Sequence, residues 1–205
     1  MIKQKTIGDI SLLGGHPALD FVNTVDSRGE RWGPEFLNSY SDLVTWARRL
    51  DVIDEEEQRV LLLLATKSPF DAQKELIHAL ELRETLHRIF KIEVDNEPVS
   101  ATDLELLNEV ASRALTRRIL VNVGDTIEWR QSPADHLAAI ATRVGWLAAD
   151  ILTSRQNRRP IRACEGRNCG WLFLDHSRNG NRRWCSDKTC GSHARVRKFR
   201  TGRSE

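Results

Sequence analysis

Residues 164–190 read CEGRNCGWLFLDHSRNGNRRWCSDKTC and contain all four cysteines of the 205-residue chain. The cysteines form two pairs with the spacing C-x4-C-x15-C-x4-C. Two short loops that supply two thiolates each are what a tetrahedral zinc ion requires. The pattern therefore predicts one structural Zn²⁺ ion, with the ligands Cys164, Cys169, Cys185 and Cys190.

Two other uses of the cysteines are less well supported by the sequence. A disulfide framework is typical of short secreted chains, and nothing in this sequence indicates secretion. A catalytic zinc ion usually has three protein ligands and an open position, whereas four cysteines favour a closed, structural site.

The segment between the cysteine pairs is predicted to be a small folded unit. Residues 171–175, WLFLD, have the composition of a short strand, and Asn179-Gly180 indicates a turn. Trp171, Phe173 and Trp184 are expected to form its core, although such rings can also stack on unpaired bases.

Residues 162–200 resemble the CGNR-type zinc finger of bacterial transcriptional regulators at almost every position. The resemblance assigns the metal to the same four cysteines. It departs at the tetrapeptide that names the family, because Cys190 is followed by Gly-Ser-His instead of Gly-Asn-Arg. His193 is therefore a candidate further ligand, although four thiolates already complete a tetrahedron.

Residues 14–24, GGHPALDFVNT, resemble the start of the ABATE domain that usually precedes CGNR fingers. The two resemblances imply an ABATE-like domain over residues 1–154 and a CGNR-like finger over residues 155–205. They also imply a stress-induced transcriptional regulator that binds DNA.

The distribution of charge separates the same two regions. Residues 155–205 carry 14 Lys and Arg against 4 Asp and Glu, whereas the preceding residues carry 17 against 25. The net charges of +10 and −8 predict a polyanionic partner for the C-terminal region. The longest apolar run, residues 60–65, is far too short to span a bilayer, and no signal peptide is visible, so we expect a cytoplasmic protein without a membrane partner.

The periodicity of the body predicts an α+β fold: a mainly α-helical N-terminal domain with a small β-hairpin, followed by the small four-cysteine finger. Residues 7–13 are predicted to form a strand, residues 119–130 a hairpin that turns at Gly124-Asp125, and residues 154–160 a linker. The predicted helices begin at His16-Pro17, Ser39, Asp54, Ser68-Pro69, Ser100 and Ser132-Pro133.

The residues after Cys190 predict a basic helix that contacts nucleic acid. Ala194, Val196 and Phe199 are expected to face the finger, so that the basic side chains point outward. Arginine forks match phosphate oxygens and guanine edges, and lysine supplies a point charge. The predicted contact residues are Arg182, Arg183, Arg195, Arg197, Lys198 and Arg200, and Arg158, Arg159 and Arg162 are expected to extend this surface.

Duplex DNA is the predicted partner of the basic helix. The alternative is an RNA-binding or protein-interaction module. The chain carries no strong catalytic motif, and we expect it not to be an enzyme.

The acidic body is a candidate for dimerisation and for binding a small-molecule effector. The predicted effector pocket comprises His16, Asp20, Asn23, Arg28 and Trp32. The structural alternative is that His16 and Asp20 cap backbone groups and that Asn23 fixes the next loop. An enzyme with its pocket at residues 14–34 has the least support.

Four polar residues of the long helix are interpreted as solvent-exposed, because they lie on the polar side of its amphipathic pattern. They are His78, Glu81, Glu84 and His87.

Overall fold

The computed structural model describes residues 5–201 and confirms the predicted α+β class. Within these residues seven α-helices, two two-stranded antiparallel sheets and the four-cysteine cluster are present. The helices are α1 Pro17–Val22, α2 Tyr40–Arg49, α3 Glu55–Lys67, α4 Pro69–Asp95, α5 Ala101–Leu115, α6 Ala139–Thr153 and α7 Ser192–Thr201. The strands are β1 Arg118–Val123, β2 Thr126–Gln131, β3 Ile161–Ala163 and β4 Leu172–Leu174.

The helix-start signals of the body work as expected in most cases. Ser39 and Asp54 each form a reciprocal capping box with the acidic residue three positions later, at the starts of α2 and α3. Pro17 and Pro69 occupy the first positions of α1 and α4, where the missing N–H costs nothing.

Helix α4 is the central element of the body. It spans 27 residues and packs against five other helices, α1, α2, α3, α5 and α6, and against strand β3. Next to it, α1 packs on α2 through the rings of Phe21 and Trp46, whose centroids are 5.1 Å apart. A helix with neighbours on several sides buries more than a single apolar stripe.

The strands β1 and β2 form the predicted hairpin, with Gly124 at φ +60° in the turn. Neither face of this hairpin is buried throughout, since Leu120 on one face and Ile119 on the other are 58% and 44% exposed. The hairpin is therefore an outlying element, and at its start the Arg118 guanidinium contacts the ring of Trp146 in α6.

The finger shares its core with the body. Ile161, Leu172 and Leu174 of β3 and β4 are buried in the same hydrophobic cluster as α1, α4 and α6. The predicted linker is also packed: residues 155–157 form a 3₁₀ turn, and the Arg158 guanidinium donates two hydrogen bonds of 2.6 Å to Glu93 of α4. Arg158 is thus wrongly predicted as part of the basic surface, because its charge is buried against a carboxylate.

Two predicted elements are wrong. Residues 7–13 form a turn followed by irregular backbone instead of a strand, and the Asp9 carboxylate stabilises the turn by accepting hydrogen bonds from the backbone N–H and hydroxyl of Thr6. The last body helix begins at Ala139 instead of Ser132, because Glu57 accepts the Ala134 N–H and Arg143 donates to the Ser132 carbonyl, which holds this segment outside a helix.

Among the described residues, no helix combines the length and hydropathy that crossing a membrane requires.

Candidate metal centre and nucleic-acid interface

The four cysteines converge as the spacing predicts. Cys164 and Cys169 form a first knuckle, residues 164–169, which follows β3, and Cys185 and Cys190 form a second knuckle, residues 185–190, which leads into α7. All four Sγ atoms lie within 4.8 Å of one another. The cysteines are not joined by disulfide bonds. His193 is exposed, and the metal-binding cluster consists of the four cysteines alone.

The sulfur positions fit a tetrahedral zinc ion. A Zn–S bond of about 2.3 Å implies tetrahedron edges of about 3.8 Å between the sulfurs. The Cys169 and Cys185 sulfurs are 3.7 Å apart, and those of Cys185 and Cys190 are 3.8 Å apart. One structural Zn²⁺ ion therefore fits this donor set, and four protein ligands leave it no open coordination position.

The backbone around the sulfurs is shaped for a charged cluster. The N–H groups of Gly166 and Cys185 donate to the Cys164 Sγ over 3.4 and 3.2 Å. A Cβ atom at position 166 would lie 2.7 Å from the Cys190 Sγ, so only glycine fits there.

The thiols differ in acidity. Hydrogen bonds from the thiols of Cys169 and Cys185 lower the pKa of Cys164, whereas burial raises the pKa of Cys190. Zinc binds thiolates, so its binding releases the protons that these thiols still carry.

The first knuckle is bonded to the loop that follows α1. The N–H groups of Arg28 and Gly29 donate to the carbonyls of Cys169 and Asn168 over 3.0 and 3.4 Å. The Asn168 side chain accepts from the Arg31 N–H at 2.7 Å and donates to the Arg31 carbonyl at 2.9 Å. The contact is so close that a Cβ at Gly29 would lie 2.5 Å from the Asn168 Cα.

Asn23 and Trp171 join α1 to the finger below the knuckle. The Asn23 amide accepts the Leu172 N–H at 2.9 Å and donates to the Leu172 carbonyl at 2.8 Å, as a neighbouring strand would. The Trp171 indole N–H donates to the Val25 carbonyl at 2.7 Å. Both contacts are buried, so the polar groups at this junction are matched inside the protein.

The remaining residues of the predicted effector pocket also have internal partners. The His16 side chain accepts the Ala18 N–H and caps α1, and the Asp20 carboxylate accepts the Gly14 N–H at 2.8 Å. Arg28 pairs with Glu84 and donates to the Val22 carbonyl at 2.8 Å. Trp32 is half exposed, and its ring centroid lies 5.0 Å from the Arg28 guanidinium carbon. These contacts agree with the structural alternative, in which His16 and Asp20 cap backbone groups and Asn23 fixes the next loop. An effector pocket at these residues stays a prediction.

The surface prediction for α4 is wrong for Glu84 and His87. Burial opposes ionisation of Glu84, but the guanidinium groups of Arg28 and Arg83 lower its pKa. The His87 ring lies 3.4 Å from the Gly170 carbonyl, and burial lowers the pKa of His87 to about 4, so this histidine is neutral at neutral pH. Both residues contact the region where the finger meets the body.

The second knuckle is more exposed and continues into the basic helix. Residues 187–191 form a π-helical turn on which α7 packs, and no described side chain of α7 is buried. Val196 and Phe199 are 46% and 63% exposed, so the prediction that they face the finger is wrong. The finger core is already filled by Trp171 and Phe173.

The predicted nucleic-acid residues fall into two groups. Arg182 stacks on Phe173 and donates to carbonyls of the finger, Arg183 pairs with Glu165, and Arg195 pairs with Asp187 at 2.7 Å. Arg197, Lys198 and Arg200 lie exposed on α7. The first group thus has partners within the finger, although Arg183 and Arg195 are themselves exposed.

A helical body fused to a four-cysteine metal site defines a zinc-finger protein. The ABATE family model, described as "Putative stress-induced transcription regulator", matches residues 15–155, and the CGNR zinc finger model matches residues 161–203. Because the first match covers more than half of the chain, the chain belongs to the ABATE family, and it carries a CGNR zinc finger. A search of curated proteins found no match.

Proposed function

We propose that this chain is a transcription regulator that binds duplex DNA through α7, with one structural zinc ion fixing that helix to the body. The observation that carries the proposal is the position of α7: a ten-residue helix, basic and exposed, which begins directly at the second knuckle. Ten helical residues span about 15 Å, and an α-helix fits the major groove of B-DNA.

The side chains of α7 suit both kinds of contact that duplex DNA offers. Arg197, Lys198 and Arg200 can neutralise phosphates, which supplies most of the affinity for DNA. The exposed apolar Val196 can contact a thymine methyl group in the major groove. The two regions recognised in the sequence, residues 1–154 and 155–205, then act as a scaffold and a DNA-contacting unit.

The test is binding of the zinc-loaded chain to a labelled DNA duplex over a salt series, with and without a chelator. We expect log affinity to fall linearly with log salt, because condensed counterions are released, and we expect the chelator to abolish binding. Absence of binding at low salt contradicts the proposal. A preference for single-stranded RNA of equal length would support the RNA-binding alternative.

Removing one exposed charge from α7 sharpens this test. We expect Arg197→Ala to weaken binding to all duplexes and to reduce the salt slope by about one. Zinc content and melting temperature should not change, since the side chain is exposed. Arg130→Ala removes an exposed arginine from the hairpin of the body and is the matched control. Equal affinities for the two variants would exclude α7 as the contact.

A further inference from the structure

A cleft lies between the hairpin and α6. Its volume is about 260 Å³, close to the lower end of the range for small-molecule sites. Pro17, Leu50, Val52 and Leu147 provide an apolar wall. The cleft is therefore of a size and polarity that suit a small ligand with a hydrocarbon part.

Arg118 of β1 brings an unmatched positive charge to this wall. Its guanidinium carbon lies 4.6 Å from the ring centroid of Trp146 and 5.8 Å from that of Trp129. The Arg118 Nε is buried without a hydrogen-bond partner. Among residues 5–201 no carboxylate lies within ion-pair distance of it, although a buried N–H without an acceptor is costly.

The second arginine of the cleft, Arg143, differs from Arg118 because its N–H groups have partners within the protein. Arg143 donates to both carboxylate oxygens of Glu57, over 2.8 and 2.6 Å, and to the carbonyls of Val52 and Ser132. Its hydrogen-bonding capacity is thus used within the fold. The acidic residue at the rim, Asp51, is exposed and pairs with Arg48. Of the two arginines that line the cleft, Arg118 is therefore the one whose guanidinium N–H groups can donate to a ligand.

We propose that this cleft binds a small organic carboxylate, whose charged group pairs with Arg118 and whose hydrocarbon part packs on the apolar wall. Gln131 is the direct cross-strand partner of Arg118 and also lines the cleft, so its amide can donate a second hydrogen bond to the same carboxylate. The two indoles hold the guanidinium plane in place without accepting its hydrogen bonds. A bound carboxylate would accept hydrogen bonds from the terminal nitrogens of Arg118, which, unlike the Nε, are not buried.

A ligand in this cleft would contact a helix that also supports the finger. Pro17, in the wall, is the first residue of α1, and Asn23, at the C-terminal end of the same helix, holds Leu172 of β4. A ligand that contacts Pro17 therefore contacts the element on which the finger rests. This site is distinct from the predicted effector residues around Arg28 and Trp32.

The test uses isothermal titration of the zinc-loaded full chain with benzoate, hexanoate and benzamide as probes. We expect at least one carboxylate to bind saturably, and the uncharged benzamide to bind about tenfold or more weakly than benzoate, because the charge-assisted hydrogen bonds are lost. Arg118→Gln should weaken carboxylate binding by about the same factor, whereas Arg130→Gln, on the neighbouring position of the partner strand, should leave it unchanged. Failure of both carboxylates to saturate at concentrations up to about 10 mM overturns the proposal.

A measurement on the unaltered chain avoids dependence on how well the variants fold. Carboxylate binding should shift the indole N–H resonances of Trp129 and Trp146 and leave those of Trp46 and Trp171 in place. Shifts confined to other tryptophans, or equal binding by the Arg118→Gln variant, would place the ligand elsewhere. DNA binding is measured separately, so either proposal can fail without the other.

Discussion

The two knuckles of the metal site have different surroundings. In the first knuckle, the carbonyls of Asn168 and Cys169 are hydrogen-bonded to the loop after α1, and the adjoining strand is held by Asn23. In the second knuckle, the π-helical turn continues into α7, none of whose described side chains is buried. The difference shows that one half of the zinc site is built into the body, whereas the other half carries the basic helix. A zinc ion bound by the four cysteines would therefore link α7 to the body, together with the hydrogen bonds of the finger.

Loss of a cysteine from either knuckle should have the largest effect. Structural zinc binding contributes on the order of 10 kcal/mol of folding free energy, and three thiolates bind the ion more weakly than four. We expect both Cys169→Ser and Cys190→Ser to lose zinc, as measured by metal analysis. Cys169→Ser should also lower the melting temperature of the body, because the loop after α1 loses its partner, whereas Cys190→Ser should mainly abolish DNA binding.

Hydrogen exchange separates the outcomes of that comparison. The amides of Arg28 and Gly29 should lose protection in Cys169→Ser and keep more of it in Cys190→Ser. Equal loss in both variants would mean that the two knuckles unfold as a single unit. An unchanged zinc affinity in either variant would contradict the four-cysteine assignment.

The next largest effect is expected for the ion pair that anchors the start of the finger. Arg158 and Glu93 are 9% and 11% exposed, and breaking a buried pair costs about 3–5 kcal/mol, since a charge is left unmatched. We expect Arg158→Ala to lower the unfolding free energy by this amount in denaturant titration. Arg195→Ala breaks the exposed pair with Asp187 in the second knuckle, and we expect no measurable change there. Similar losses for the two variants would remove the distinction between the halves.

Asn23→Ala tests the strand-like contact between α1 and β4. The variant leaves the Leu172 N–H and carbonyl buried without partners, and we expect a loss of about 2–4 kcal/mol in unfolding free energy. Asn38→Ala is the control, because the Asn38 side chain makes an exposed hydrogen bond within its own loop. Thermal or denaturant unfolding of both variants measures the difference. A loss for Asn23→Ala no larger than for the control would show that the junction tolerates the change.

The smallest effect is a dependence on pH that arises at Asp20. Burial raises the pKa of Asp20 to about 6, above its ordinary value of 3.8. Between these two pH values the folded protein keeps a proton on Asp20 that the unfolded chain has lost. The contribution of this proton to the unfolding free energy is therefore complete below pH ~4 and disappears as the pH rises through ~6. Relative to Asp20→Asn, the unfolding free energy should fall by about 2 kcal/mol between pH 4 and pH 7. A constant difference across this range would mean that Asp20 has an ordinary pKa.

The metal site was predictable because its information is local. Cys164, Cys169, Cys185 and Cys190 occupy two short loops, and the required spacing can be read directly from the sequence. The helix starts at Ser39 and Asp54 are local in the same way. Each capping box involves residues only three positions apart.

The junction between the body and the finger was not predictable in this way. Asn23 bonds Leu172 across 149 positions, and the sequence signal was only a polar residue in an apolar stretch. Glu84 and His87 were misplaced because periodicity indicates which residues share a face, not how many faces are covered. For α7, the same pattern predicted an inward apolar face, but the finger core is already complete without Val196 and Phe199.

The shared core also determines what can be cut or exchanged in this protein. Ile161, Leu172 and Leu174 belong to the finger by sequence but complete the hydrophobic interior of the body. A finger expressed alone would present these side chains to water, and a body truncated after α6 would be left with a hole in its interior. A chimaera that transfers the finger to another scaffold therefore has to bring α1 and the following loop with it.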